Sequence, residues 1–121
     1  MKILITGAAG DIGTRLVDFF SNQKNVELFT TDLSKPKIQG NYEHKDYDVR
    51  DPKFFDWIKE ISPQVIVHLA SIVSLPAKMS RGDAHDIDVV ATEKLMATCV
   101  AVGVEKVVAT SSGAAYGYWK D

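Results

Sequence analysis

Short apolar runs alternate with longer amphipathic ones along this chain. Lys2 to Thr6 carries Ile3, Leu4 and Ile5 in succession and reads as a buried strand. Asp11 to about Gln23 places Ile12, Leu16, Phe19 and Phe20 at helical spacing, so strand passes directly into helix. Val26 to Thr31 reads as a second strand and Tyr42 to Tyr47 as a short third one. Asp51-Pro52 then opens a helix, because Asp caps free backbone N–H groups and Pro suits a first turn; Phe54, Phe55, Ile58 and Ile61 form its buried face. Val65 to Leu69 is a fourth strand. Asp83 to Val102 is a long helix, ended by Gly103 where a left-handed cap is expected, and Lys106 to Thr110 is a fifth strand. This alternation predicts right-handed βαβ units, hence an α/β fold in three layers: a parallel, doubly wound sheet of about five strands with helices on both faces.

Composition narrows the picture without redirecting it. A chain of 121 residues has room for one domain, able to bury roughly two-thirds of its unfolded surface. An apolar fraction of 45%, a charged fraction of 25% and only four prolines are those of a globular protein, not a disordered one. The formal charge is −2 and the lysines are scattered, so there is no broad footprint for nucleic acid. Cys99 is the only cysteine, which excludes an intramolecular disulfide and favours a reducing, cytoplasmic setting. The apolar run after Met1 and Lys2 is too short for a signal peptide, and no run reaches membrane-spanning length. His44, His68 and His85 have no ligand-like spacing, so no metal site is read and their default role is structural.

Candidate chemistry begins at Thr6-Gly7-Ala8-Ala9-Gly10-Asp11-Ile12-Gly13, a G-x-x-G-x-x-G run between the first strand and the first helix. Gly7 permits a tight turn, Gly10 lets the backbone approach a pyrophosphate, and Gly13 lets the helix pack closely on the strand. The helix start at Asp11 and Ile12 turns unpaired N–H groups and a partial positive charge toward the phosphates. The Asp11 carboxylate is a poor neighbour for a diphosphate unless it points away. Asp32, after the second strand, stands where a dinucleotide site needs an acid for the adenosine ribose hydroxyls. A carboxylate there repels a 2′-phosphate and favours NAD over NADP, although Lys35 and Lys37 lie close by. The plainer alternative is that Asp32 only forms a turn with Leu33 and Ser34. On these grounds residues 1–121 read as one NAD(P)-binding domain of the Rossmann type.

These features together resemble the extended short-chain dehydrogenases/reductases, in particular the NAD-dependent epimerase/dehydratase family, which acts mostly on nucleotide sugars. The resemblance spans essentially the whole chain and rests on the Thr6–Gly13 run, Asp32, Asp48-Val49-Arg50-Asp51, His68-Leu69-Ala70-Ser71 and the segment from Thr110 to Gly117. It implies adenine contacts from Asp48 and Val49, and a nicotinamide side lined by Leu69, Ala70 and Ser71. Thr110 and Ser111 would border the nicotinamide, and Ser112 would hydrogen-bond the reacting oxygen of the substrate. Plainer readings remain beside these: a solvated loop carboxylate for Asp48, a completed buried strand for His68 to Ala70, and a polar strand end for Ser112. The family usually has Asn where this chain has Asp88, and an ionised carboxylate cannot donate the hydrogen bonds of an amide.

The family's catalytic pair is a Tyr followed four residues later by a Lys. Tyr116 and Lys120 match that string but follow Ser112 too closely, at a place where the family already has a Tyr-Gly pair. The resemblance therefore implies the coenzyme-binding part of a longer oxidoreductase, ending before the principal catalytic residues and inactive alone. A non-catalytic dinucleotide-binding regulatory module is the alternative. The family comparison further implies a homodimer, with Ile87, Val90, Ala91, Leu95 and Thr98 of the long helix on a face left uncovered.

Overall fold

The computed structural model describes residues 1–70 and 80–110. Five strands form one parallel sheet: β1 (Lys2–Thr6), β2 (Glu27–Asp32), β3 (Glu43–Asp46), β4 (Val65–His68) and β5 (Lys106–Ala109). Their order in space is β3-β2-β1-β4-β5. The chain thus steps outward from β1 to β3, then crosses back to the other side of β1. Parallel crossovers keep one hand, so reversing the direction of travel places the intervening helices on opposite faces of the sheet.

The packing bears this out. Helix α1 (Asp11–Ser21) buries Val17 against Ile3, Ile5, Leu28 and Val67 on one face. On the other face α2 (Pro52–Ile61) buries Phe54, Trp57, Ile58 and Ile61 with Leu4, Phe29 and Ile66, and Phe29 meets Trp57 edge to face at 6.1 Å. Alternation along each strand supplies both layers, Ile3 and Ile5 to one side and Leu4 to the other. The Asp51 carboxylate accepts from Lys53 N at 2.9 Å, capping α2 as its sequence predicts, and Gly103 adopts φ +87° at the end of the long helix.

Four sequence expectations are corrected. The long helix begins at Arg81, capped by a reciprocal Ser80–Asp83 box, and is not uniform: α3 (Arg81–His85) runs into a π-helical segment, Asp86–Val90, before α4 (Ala91–Val102). The face carrying Ile87, Ala91 and Leu95 is core, packed on α2 and the sheet, whereas its exposed large apolar residues are Val89, Met96 and Val100. In α1, Ile12 and Phe19 are exposed, and the buried stripe is formed by Gly13 and Val17 with Leu16 and Phe20 at its margins. Helical spacing alone does not say which side of an amphipathic stripe meets the sheet. Strand ends move by one residue, so that Asp32 closes β2 and Leu69 lies beyond β4.

Candidate functional site

In a parallel sheet every strand ends at the same edge, here with Thr6, Asp32, Asp46, His68 and Ala109. Loops diverge where the strand order reverses, between β1 and β4, and that opens a crevice. On one side of it lies the glycine turn from β1 into α1, and on the other lies Leu69-Ala70 after β4.

Gly7 takes φ +67° and its missing side chain is filled by backbone: a Cβ there would stand 2.7 Å from Ala70 N and from Leu69 C. Only glycine lets the two sides of the crevice close this far. A Cβ on Gly13 would collide with Gly7 O and come within 2.7 Å of Ala8 Cα, so Gly13 is the contact that seats α1 on the turn. Gly10 differs. Its φ of −76° suits any residue, and a Cβ would meet nothing closer than Gly7 O at 3.5 Å. The protein itself has no steric use for glycine at position 10, and the position is exposed.

Gly10 is also the N-cap of α1 and brings no side-chain acceptor. The first intrahelical bond is Thr14 N to Gly10 O, at 2.9 Å. The N–H groups of Asp11, Ile12 and Gly13 therefore precede the helical ladder, at the positive end of the helix dipole. Asp32 reaches this turn. Its Oδ2 accepts from Ala9 N at 2.9 Å and its Oδ1 from Leu33 N at 2.7 Å. The Leu33 bond is part of the expected turn, and a carboxylate has about four acceptor positions, of which these two bonds use two. The Ala9 tether was not foreseen; it joins residues 23 apart through the β1–β2 register.

Asp48 and Val49 follow β3. Val49 is buried in the core cluster that α2 packs on, which leaves its backbone for any outward contact. Arg50 Nε and Nη2 grip the Asp48 carboxylate at 2.9 and 2.6 Å, and Arg50 N adds a third bond at 2.9 Å. The Arg50 hydrogen bonds hold the Asp48 carboxyl below the usual carboxylate range. Arg50 also lies 3.5 Å from Asp83, linking this loop to the cap of α3. Sequence reading missed that clamp, for which the charged Asp-Val-Arg triplet was the available signal.

Leu69 and Ala70 are half-buried, and their N–H groups donate to Thr6 Oγ1 at 3.1 and 3.2 Å. Thr110 is exposed just past β5. The turn, Asp32, Leu69, Ala70 and Thr110 therefore share one edge of the sheet, whereas Ser71, Ser111, Ser112, Tyr116 and Lys120 lie outside the described residues. No helix among the described residues is long and apolar enough to cross a membrane.

A five-stranded parallel sheet of this order, with a glycine turn at the reversal point, is a Rossmann-type α/β fold. The model of the NAD dependent epimerase/dehydratase family matches residues 3–121, and the chain belongs to that family. It is 34% identical to UDP-glucose 4-epimerase of Mycolicibacterium smegmatis, over 93% of this chain and 39% of that protein. It is 31% identical to D-erythronate dehydrogenase of Haemophilus influenzae, over 82% of this chain and 33% of that protein. Among solved structures it is similar to MoeE5 in complex with UDP-glucuronic acid and NAD, at 30% identity and a TM-score of 0.83, covering 99% of this chain and 40% of that one. The chain thus spans two-fifths or less of these proteins.

Proposed function

We propose that this chain is the NAD-binding portion of an epimerase/dehydratase-type oxidoreductase acting on a nucleotide sugar. The observation that carries the reading is Gly10: an exposed glycine with no steric reason inside the protein, set before the uncapped N–H groups of α1. A close-approaching anion supplies the missing reason. In this reading Gly7, Gly10, Asp11, Ile12 and Gly13 hold the pyrophosphate, and Asp32 accepts from the adenosine ribose with its two remaining acceptor positions. The exposed Asp11 side chain is compatible with a phosphate held by backbone groups. Asp48 and Val49 border the adenine, Leu69, Ala70 and Ser71 the nicotinamide, with Thr110 and Ser111 beside it.

NAD, when bound, supplies a hydride acceptor for a carbon bearing a hydroxyl. The chain's own contribution is to orient the coenzyme and, through the Ser112 hydroxyl, to hydrogen-bond the reacting oxygen. The names of the relatives, two of them nucleotide-sugar proteins and one a dehydrogenase, support this substrate class and reaction type. Calorimetric titration tests the coenzyme reading. NAD is expected to bind more tightly than NADP, and Asp32→Ala to narrow the difference, because it removes both the ribose acceptor and the charge that opposes a 2′-phosphate. Equal or tighter NADP binding by the unaltered chain would overturn the assignment of Asp32.

A further inference from the structure

Beneath the coenzyme crevice runs a buried chain of hydrogen bonds. Thr6 and His68 are register partners at the ends of β1 and β4, and both point to the α4 side of the sheet. Thr6 Oγ1 lies 2.7 Å from His68 Nδ1, and His68 Nε2 lies 3.4 Å from Thr92 Oγ1 on α4. Donor counting favours one direction for these bonds. A hydroxyl has one hydrogen and two lone pairs. Ala70 N–H donates to Thr6 Oγ1, and Leu69 N–H is shared between Thr6 Oγ1 and the Thr6 carbonyl oxygen, 3.2 Å away; the arrangement that satisfies every group sends the Thr6 hydrogen to His68 Nδ1. Nδ1 is then the acceptor, and the ring hydrogen sits on Nε2, directed at Thr92.

The relay therefore has one polarity, and it ends on the two amides that frame the crevice opposite Gly7. If His68 Nδ1 carried a hydrogen, Thr6 Oγ1 would face three donors and its own hydrogen would lose its acceptor. Leu69 N–H would then be left to the Thr6 carbonyl alone, and Thr6 Oγ1 would hold the Leu69–Ala70 backbone less firmly. The other end of the relay, Thr92, lies in the first turn of α4, close behind the π-helical segment Asp86–Val90.

We propose that His68 is a positioning residue for the nicotinamide half of the coenzyme: its Nδ1, acting through Thr6 Oγ1, fixes the Leu69–Ala70 backbone. The proposal rests on the coenzyme reading above. NAD and ADP-ribose share every contact on the adenosine and pyrophosphate side and differ in the nicotinamide. Calorimetry on the 121-residue chain should show that His68→Leu weakens NAD roughly tenfold, equivalent to about 1.4 kcal/mol, while leaving ADP-ribose within twofold. His68→Asn, whose Oδ1 takes the place of Nδ1, should restore NAD binding, and His68→Gln, which reaches only toward Thr92, should not. Nitrogen-15 correlation spectra of the imidazole should show the hydrogen on Nε2, with the Leu69 and Ala70 amide shifts displaced in Thr6→Val and retained in Thr6→Ser.

Equal loss of NAD and ADP-ribose in His68→Leu would mean a merely structural histidine and overturn the proposal. An Nδ1-protonated ring would overturn the relay itself, a result that remains available if His68→Leu does not fold. Failure of the unaltered chain to bind either ligand would remove the coenzyme reading first, and this role with it.

Discussion

At the scale of single residues, the three glycines of the turn separate into two kinds. Gly7 and Gly13 are required by the protein's own backbone, and Gly10 is not. Gly13→Ala is expected to destabilise the fold by about 1–3 kcal/mol, the cost of forcing an extra carbon into a packed site. Gly10→Ala should cost under about 1 kcal/mol, the difference between Gly and Ala at a helix N-cap. It should nonetheless lower NAD affinity at least about tenfold, since a methyl group would stand where the pyrophosphate must come close. Urea denaturation and calorimetry on the two variants measure both effects. Gly10→Ala with unchanged affinity would leave the glycine unexplained and the pyrophosphate assignment without its main support.

At the scale of elements, β1 and β4 are joined by polar groups at their carboxyl ends as well as by apolar packing. Burial lowers the pKa of His68 from its usual value of 6.5, with Asp88 opposing the shift. The sign follows from proton uptake. Below about pH 6.5 the unfolded chain binds a proton on this ring that the folded chain refuses, so stability present above that pH is lost as the pH falls toward the folded value. Denaturation at about pH 7.5 and about pH 5.5 should show the chain less stable at the lower pH. His68→Asn should flatten that difference, because it removes the titrating ring while keeping the acceptor. Carboxylates clamped like Asp48 act in a lower window, below their usual 3.8, and leave this comparison undisturbed.

At the scale of the molecule, the chain spans two-fifths or less of the relatives it matches. General acid–base catalysis contributes about 10²- to 10⁴-fold and needs a group held within hydrogen-bond reach of the moving proton. Tyr116 and Lys120 match the family's pair as a string but not in spacing. NAD reduction over a panel of nucleotide sugars is therefore expected to be negligible for the 121-residue chain, and activity abolished by Tyr116→Phe would show that the string is the pair. Association is the second molecular property. Val89, Met96 and Val100 are 40%, 39% and 85% exposed on the helix that flanks the core, an apolar surface suited to self-association. Sedimentation should show dimers at high concentration, weakened by Val100→Lys; a strict monomer would mean that this surface has no such role.

What the amino-acid sequence determined by itself were the features whose causes lie within a turn or two of chain: the strand and helix alternation, the Asp51 cap, the left-handed Gly103 and the glycine turn before α1. Backbone preference and hydrophobic period act at that range and can be read from neighbours. The outward side of α1, the inward side of the long helix and its π-helical interruption were decided by packing, since an amphipathic stripe meets whichever surface the sheet presents. The contacts that build the site belong to tertiary structure as well. Asp32 holds Ala9 across 23 residues, and Thr6 meets His68 across 62, because the parallel register sets those residues side by side at one edge of the sheet. A histidine with no partner in its sequence neighbourhood finds hydrogen-bond partners on both ring nitrogens only when a neighbouring strand and a helix converge on it.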